Sequence, residues 1–188
     1  FSGEYSRSTF RMYLTRPISR TKVLFSKVII VLVYTSVLMG FFFLYSLSLS
    51  VLWLGSGELA VFHKGILFLS SEEVIPRFAL AFFISNLVML TISLCCLLVS
   101  TLSKNSITPI IITISIVFIG TAITYIPIEL FKKINPYLFT GYINSFLKAF
   151  YDPIPWSHFR SLITTCTVWS LIFISMSLFS FNKKDIID

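Results

Sequence analysis

Charge is what this sequence has least of. Asp, Glu, Lys and Arg make up 12% of its residues and hydrophobic side chains 56%, so its charged share is about half that of a typical soluble domain. That excludes an ordinary soluble globule. The charge is also unevenly placed. Residues 28–54, 78–102, 107–128 and 161–181 contain no Asp, Glu, Lys, Arg or His at all. Each run meets the roughly 20 apolar residues that a bilayer-crossing helix requires. Phe, Leu, Ile and Val dominate them, and lipid leaves no partner for backbone groups outside a helix or a closed barrel. A soluble helical core would instead carry polar stripes at helical spacing.

Other absences narrow the chemistry. No GxxxxGK[ST] loop is present, so the chain carries no Walker-type nucleotide site. No HExxH or CxxC spacing appears, and no metal or other cofactor is expected in this chain. The uncharged runs lack the ionisable groups that proton-driven pumps place at membrane depth. Asn86 is their most polar side chain; interhelical hydrogen bonding is its first expected role, contact with a transported molecule its second. The three cysteines, Cys95, Cys96 and Cys166, all fall inside uncharged runs and read as small core residues, not a disulfide framework. The two histidines, His63 and His158, stand in expected loops far apart and read as polar surface.

What charge there is sits beside the hydrophobic runs. The net charge of +7 could signal nucleic acid, but this placement fits lipid headgroups and topology better, so the bilayer is the expected partner and nucleic acid is not. Arg7, Arg11, Arg16, Arg20, Lys22 and Lys27 make residues 1–27 the densest basic segment, which the positive-inside rule places in the cytoplasm. Residues 55–77 and 129–160 then lie outside, with 103–106 and the C-terminus inside. Nine basic residues fall on the inner side and six on the outer, a modest margin in a rule that weights short loops.

Two segments outside the spans have their own pattern. In the second outer stretch, Asn135 and Pro136 read as N-cap and first helical residue. Phe139, Tyr142, Ile143, Phe146, Leu147 and Phe150 follow at α-helical spacing, with Thr140, Asn144 and Lys148 opposite. The expectation is an outer amphipathic helix, either lying in or dipping into the interface or capping the bundle. Gly40, Gly120 and Pro109 mark expected sites of close packing or bending within spans. At the N-terminus, projection at about 100° per residue gathers Glu4, Arg7, Ser8 and Arg11 on a narrow polar wedge. Phe1, Tyr5, Thr9, Met12 and Tyr13 cover the adjoining apolar face. Pro17 disfavours helix at Arg16 and makes a corner; Ser19 is the expected N-cap of the next helix. The elbow thus joins a helix lying on the cytoplasmic surface to one crossing the membrane.

The stretch "GEYSRSTFRMYLTRPISRTKVLFSK" resembles the segment before the third span in permease subunits of ABC exporters of the type-2 permease superfamily. Gly3, Glu4, Thr9, Pro17, Ile18, Ser19, Arg20 and Lys27 match that pattern, while Ser8 stands where the family usually has Gly. "STLSKNSITPIIIT" from Ser100 is similar to the family's short inner turn, and the terminal "FNKKDIID" to its basic-then-Asp ending. The resemblance implies an all-α polytopic bundle with four visible spans of six, the first two preceding Phe1. It implies a second permease subunit, identical or related, and two ABC ATPase subunits that bind ATP and Mg. Residues 1–27 become a coupling helix and elbow, with Glu4, Arg7, Thr9, Arg11, Arg16, Pro17 and Arg20 at the ATPase interface, and 28–188 the permease domain. Tyr142, Phe146 and Phe150 belong to the outer amphipathic helix. Two rivals stay open: a membrane enzyme acting on lipid, whose acids and bases would come from Glu129, Asp152, His158 and His63, and a non-transporting assembly subunit.

Overall fold

The computed structural model describes residues 20–55, 57–62, 65–103 and 105–183. Four of its helices are long and apolar enough to cross a bilayer. Helix α1 runs Arg20–Leu54, at about 1.5 Å per residue roughly 50 Å, well beyond the hydrocarbon thickness of about 30 Å. A two-stranded antiparallel hairpin follows, β1 Leu59–Phe62 and β2 Ile66–Leu69, with Leu59 opposite Leu69 and Phe62 opposite Ile66. Helix α2, Ser71–Leu102, returns, and a short turn leads to α3, Thr108–Tyr125. The short helix α4, Glu129–Ile134, and a single 3-10 turn, Asn135–Tyr137, precede a 12-residue 3-10 segment, Phe139–Phe150. Helix α5, Trp156–Lys183, completes the bundle.

α2 is the hub. It packs against α1, α3, α5 and the 3-10 segment, and buries Ile84, Val88, Leu94, Cys95, Leu97 and Leu98. α5 contributes Phe159, Leu162, Cys166, Phe173 and Phe181 to the same core. α1 buries Leu24 and Val28 near its start but leaves Ile29, Val33, Val37, Phe41 and Leu44 exposed. In lipid such a surface carries no penalty, since hydrocarbon is as apolar as Leu.

Several hydroxyls inside the apolar helices are paired within their own helix. Ser26 bonds Lys22 O, Ser48 bonds Leu44 O, and Ser115 bonds Ile111 O, each four residues back. That back-bonding lets a lipid-facing helix carry Ser and Thr without orphaned donors. Others tie helices together: Thr35 Oγ1 lies 3.0 Å from Ser93 Oγ across α1 and α2. Thr91 Oγ1 on α2 meets Ser170 Oγ at 3.2 Å and Cys166 O at 3.4 Å on α5.

Several expectations are corrected here. The stretch after α1, read as plain loop, holds the hairpin. α2 begins at Ser71 rather than 78: Glu72 and Glu73 complement the helix N-terminus, and the helix continues through Pro76. α5 begins at Trp156, so His158 is helical, not in a loop. Asn135 is not an N-cap; its backbone is already helical, and its Oδ1 accepts a 3.2 Å bond from Thr124 Oγ1. Pro109 opens α3 instead of bending it. Gly120 does mark close packing, because a Cβ there would run into Thr140, 2.5 Å from its Cβ; nothing lies within 4 Å of a Cβ built at Gly40.

Candidate functional site

Two features of the bundle stand out: the seam between α1 and α2, and the 3-10 segment at the hairpin end. The seam is an open groove of about 680 Å³ lined on α1 by Tyr34, Thr35 and Met39, and on α2 by Met89, Ser93 and Cys96, with Lys27 towards the start of α1. Met39 and Phe42 also line a second space of about 260 Å³, closed from the other side by Phe78, Phe82, Phe146 and Phe150. The two spaces share those residues and form a track along the seam. Its wall is aliphatic, aromatic and hydroxylic. Chemically it suits a hydrophobic or amphiphilic molecule or the face of another apolar helix, and among the described residues its only charged lining residue is Lys27.

Asn86 sits on the α2 face marked by Phe82, Met89 and Ser93, which helical spacing turns toward α1. Its Oδ1 is buried without a hydrogen-bond partner, as are Thr113 Oγ1 and Ser177 Oγ among the described residues. The expected interhelical bond through Oδ1 is therefore not made.

The 3-10 segment is inserted into the bundle rather than laid along the membrane. Phe139 packs edge-on against Phe173, about 25 Å along α5 from Trp156. At the other end Phe150 meets Phe78, near the start of α2. Twelve residues at about 2.0 Å each cover that descent. Three bonds hold the deep end: Tyr142 Oη to Pro136 O at 2.8 Å, Thr165 Oγ1 to the same carbonyl at 3.2 Å, and Trp169 Nε1 to Tyr137 O at 2.8 Å. Arg77 of α2 secures the shallow end by donating to Tyr151 O at 2.8 Å and Ala149 O at 3.2 Å.

Of the residues expected on the apolar face, Tyr142 is buried, and Phe146 and Phe150 are half-buried against the helices. They face protein, not open lipid. Thr140, expected on the polar face, is buried against Gly120 of α3; Ser145 is buried too, while Leu147 is exposed. The reason is the repeat. At three residues per turn, Phe139, Tyr142, Ser145 and Lys148 share a face. Gly141, Asn144 and Ser145 weaken any α-helix here, and Gly141 abuts Asn135 so closely that a Cβ would collide with its carbonyl oxygen at 2.7 Å. Ser145 and Lys148 thereby reach His158, a grouping that α-helical spacing does not reveal.

Of the other expected site residues, Glu4, Arg7, Thr9, Arg11, Arg16 and Pro17, with the expected cap Ser19, lie outside the described residues. Arg20 opens α1. No group of three or more His, Cys, Asp or Glu able to hold a metal occurs among the described residues.

Spanning helices packed around α2, with an inserted segment at one end, define a polytopic helical membrane protein. The ABC-2 family transporter proteins match residues 1–120, more than half of the chain, and the chain belongs to that family: it is a membrane permease subunit of an ABC transporter. No curated protein and no solved structure matches it.

Proposed function

We propose that the chain is the membrane-crossing part of an exporter driven by a separate pair of ATPase subunits, and that residues 1–27 are where the two meet. The observation that carries this reading is the extent of the family match, which takes in the elbow as well as α1 and α2. ATP and Mg bind the partner ATPase. Closure of the ATPase pair moves the surface helix; the Pro17 corner passes that motion to α1, and the α1–α2 seam changes shape. A second permease subunit completes the pathway, to which Asn86 contributes. The basic N-terminal segment, the 103–106 turn and the C-terminus face the cytoplasm, and the hairpin and 3-10 segment face outward, in a cell membrane. A hydrophobic or amphiphilic cargo fits the lining of the seam.

Glu4 decides between a docking helix and a headgroup anchor. An anchor works by summed charge and apolar area, so losing one acid among six basic residues would leave it intact or strengthen it. A docking helix works by specific pairs, and removal of one partner leaves a charge stranded in a partly buried interface. Glu4→Ala is expected to stay in the membrane while weakening ATPase association or uncoupling hydrolysis from transport, with charge reversal at Arg11 acting alike. Purified complexes are compared for bound ATPase and for transport. Wild-type values in both for Glu4→Ala would reduce the wedge to an anchor.

A further inference from the structure

The shared face of the 3-10 segment ends in a cluster that the transport reading does not use. Ser145 Oγ lies 2.9 Å from His158 Nε2, and Lys148 Nζ lies 3.2 Å from the same nitrogen. The Tyr142 ring stands beside the imidazole, centroids 5.2 Å apart. Ser145 is buried; Lys148 and His158 are half-buried.

Counting donors against acceptors is informative. An ammonium only donates, so His158 accepts from Lys148 at one ring nitrogen, Nε2 at 3.2 Å or Nδ1 at 3.5 Å, and carries its own proton on the other. The Ser145 hydroxyl donates to Nε2 or accepts from it according to the tautomer. Lys148 keeps two further N–H groups. Among the described residues no carboxylate comes within 4.0 Å of Lys148; the ion pair at this end of α2 joins Arg77 to Glu73. Burial lowers the Lys148 pKa from that of an ordinary lysine, which is what a desolvated ammonium without a counter-ion experiences. The cluster is rich in donors, positively charged and short of an acceptor.

Its depth says what reaches it. His158 lies in the first turn of α5, two residues after Trp156, which is 56% exposed. Tyr125, 72% exposed, accepts a 2.6 Å bond from Asn144, the neighbour of Ser145. Exposed Trp and Tyr at the end of an apolar bundle mark the headgroup layer. At that level the abundant acceptor anions are lipid phosphates, which ammonium and hydroxyl donors bind through charge-assisted hydrogen bonds.

We propose that Lys148, Ser145 and His158 form a binding site for the phosphate of an anionic phospholipid in the leaflet at the hairpin end of the bundle. Lys148 supplies the charge. Ser145 adds a directional donor, His158 orients Lys148 by accepting from it, and a lipid seated there clamps the 3-10 segment to α5. The proposal needs only that the bundle lies in a bilayer, not that the chain transports.

The test measures lipid binding to the full chain in detergent by native mass spectrometry. The probes are phosphatidylglycerol, the matching diacylglycerol without phosphate, and glycerol phosphate without acyl chains. Wild type is expected to bind phosphatidylglycerol saturably and the diacylglycerol much more weakly. Lys148→Gln should weaken phosphatidylglycerol binding by roughly tenfold or more, the cost of losing one charge-assisted bond. Lys148→Arg should restore most of it. Lys133→Gln, an exposed cation at the same end, should stay within about twofold of wild type, as expected for a solvated surface charge. Elution of each variant as wild type controls for folding. A Lys148→Gln value within twofold of wild type, or an equal loss with Lys133→Gln, would overturn the proposal. Equal binding of diacylglycerol would do so too. Lys148-dependent binding of glycerol phosphate beside the lipid would support recognition of the phosphate itself; binding of glycerol phosphate alone would make the site one for a soluble phosphate and remove the lipid.

Discussion

The polar side chains of the apolar helices differ in their partners, and each says something about its neighbours. Ser48 and Ser115 bond back within their own helices and leave their outer surface free for lipid. Thr91 reaches across to Cys166 and Ser170 and so fixes the register of α5 on α2. Such interhelical bonds contribute about 0.6 kcal/mol on average, so Thr91 specifies position more than it stabilises. Asn86 Oδ1, Thr113 Oγ1 and Ser177 Oγ are buried and unpaired, a loss of about 1–3 kcal/mol each when a buried group is left without a partner. At Lys148 the unbalanced group is a charge. Burial lowers its pKa from the ordinary lysine value, so between the folded pKa and the unfolded pKa the unfolded chain binds more protons. Stability contributed by this group therefore rises with pH through that window. In detergent without anionic lipid, thermal unfolding of wild type and Lys148→Gln should show wild type gaining on the variant as pH climbs toward the ordinary lysine pKa of about 10.4. A constant difference between them would mean that Lys148 is solvated in the fold.

At the scale of elements, the spanning helices were legible because their signal is the absence of charge over a known length, which no local geometry can disguise. The inserted segment was legible in its apolar residues but not in its faces. Phe139, Tyr142, Phe146 and Phe150 fit a 3.6-residue repeat on paper. Insertion between α2, α3 and α5 instead imposes a three-residue repeat, and this repeat turns Ser145 and Lys148 toward His158. The hairpin was hidden because its strands are four residues each, too short for alternation to stand out beside neighbouring apolar runs. Gly120 measures how firmly the inserted segment is seated. A Cβ there meets Thr140 Cβ at 2.5 Å and Cγ2 at 2.7 Å, whereas one at Gly40 meets nothing within 4 Å. Gly120→Val is expected to destabilise by about 1–3 kcal/mol through overpacking. Gly40→Ala should be neutral or gain up to about 1 kcal/mol from helix propensity. Unfolding in detergent compares the two, and equal effects would mean that the segment does not rest on α3.

For the whole molecule, the bundle and the charges make separable statements about orientation. The four crossing helices alternate in direction, so the hairpin after α1 and the segment after α3 share one end, and the turn between α2 and α3 lies at the other. That follows from the connections alone. Which end is cytoplasmic rests on the basic residues before α1, a statistical preference and not a contact. Single cysteines in a background lacking Cys95, Cys96 and Cys166 test both at once. Ser145 is buried and would report burial instead of side. Glu58, Glu129 and Asn105 are exposed and sit in the three connections. In intact cells a membrane-impermeant maleimide should label Glu58→Cys and Glu129→Cys, and label Asn105→Cys only after the membrane is opened. Labelling of Asn105→Cys alone would invert the orientation and move residues 1–27, with the ATPase docking role proposed for them, away from the compartment that holds ATP, while leaving the bundle untouched. Opposite behaviour of Glu58→Cys and Glu129→Cys would break the alternation of helices itself, and no choice of orientation could repair it.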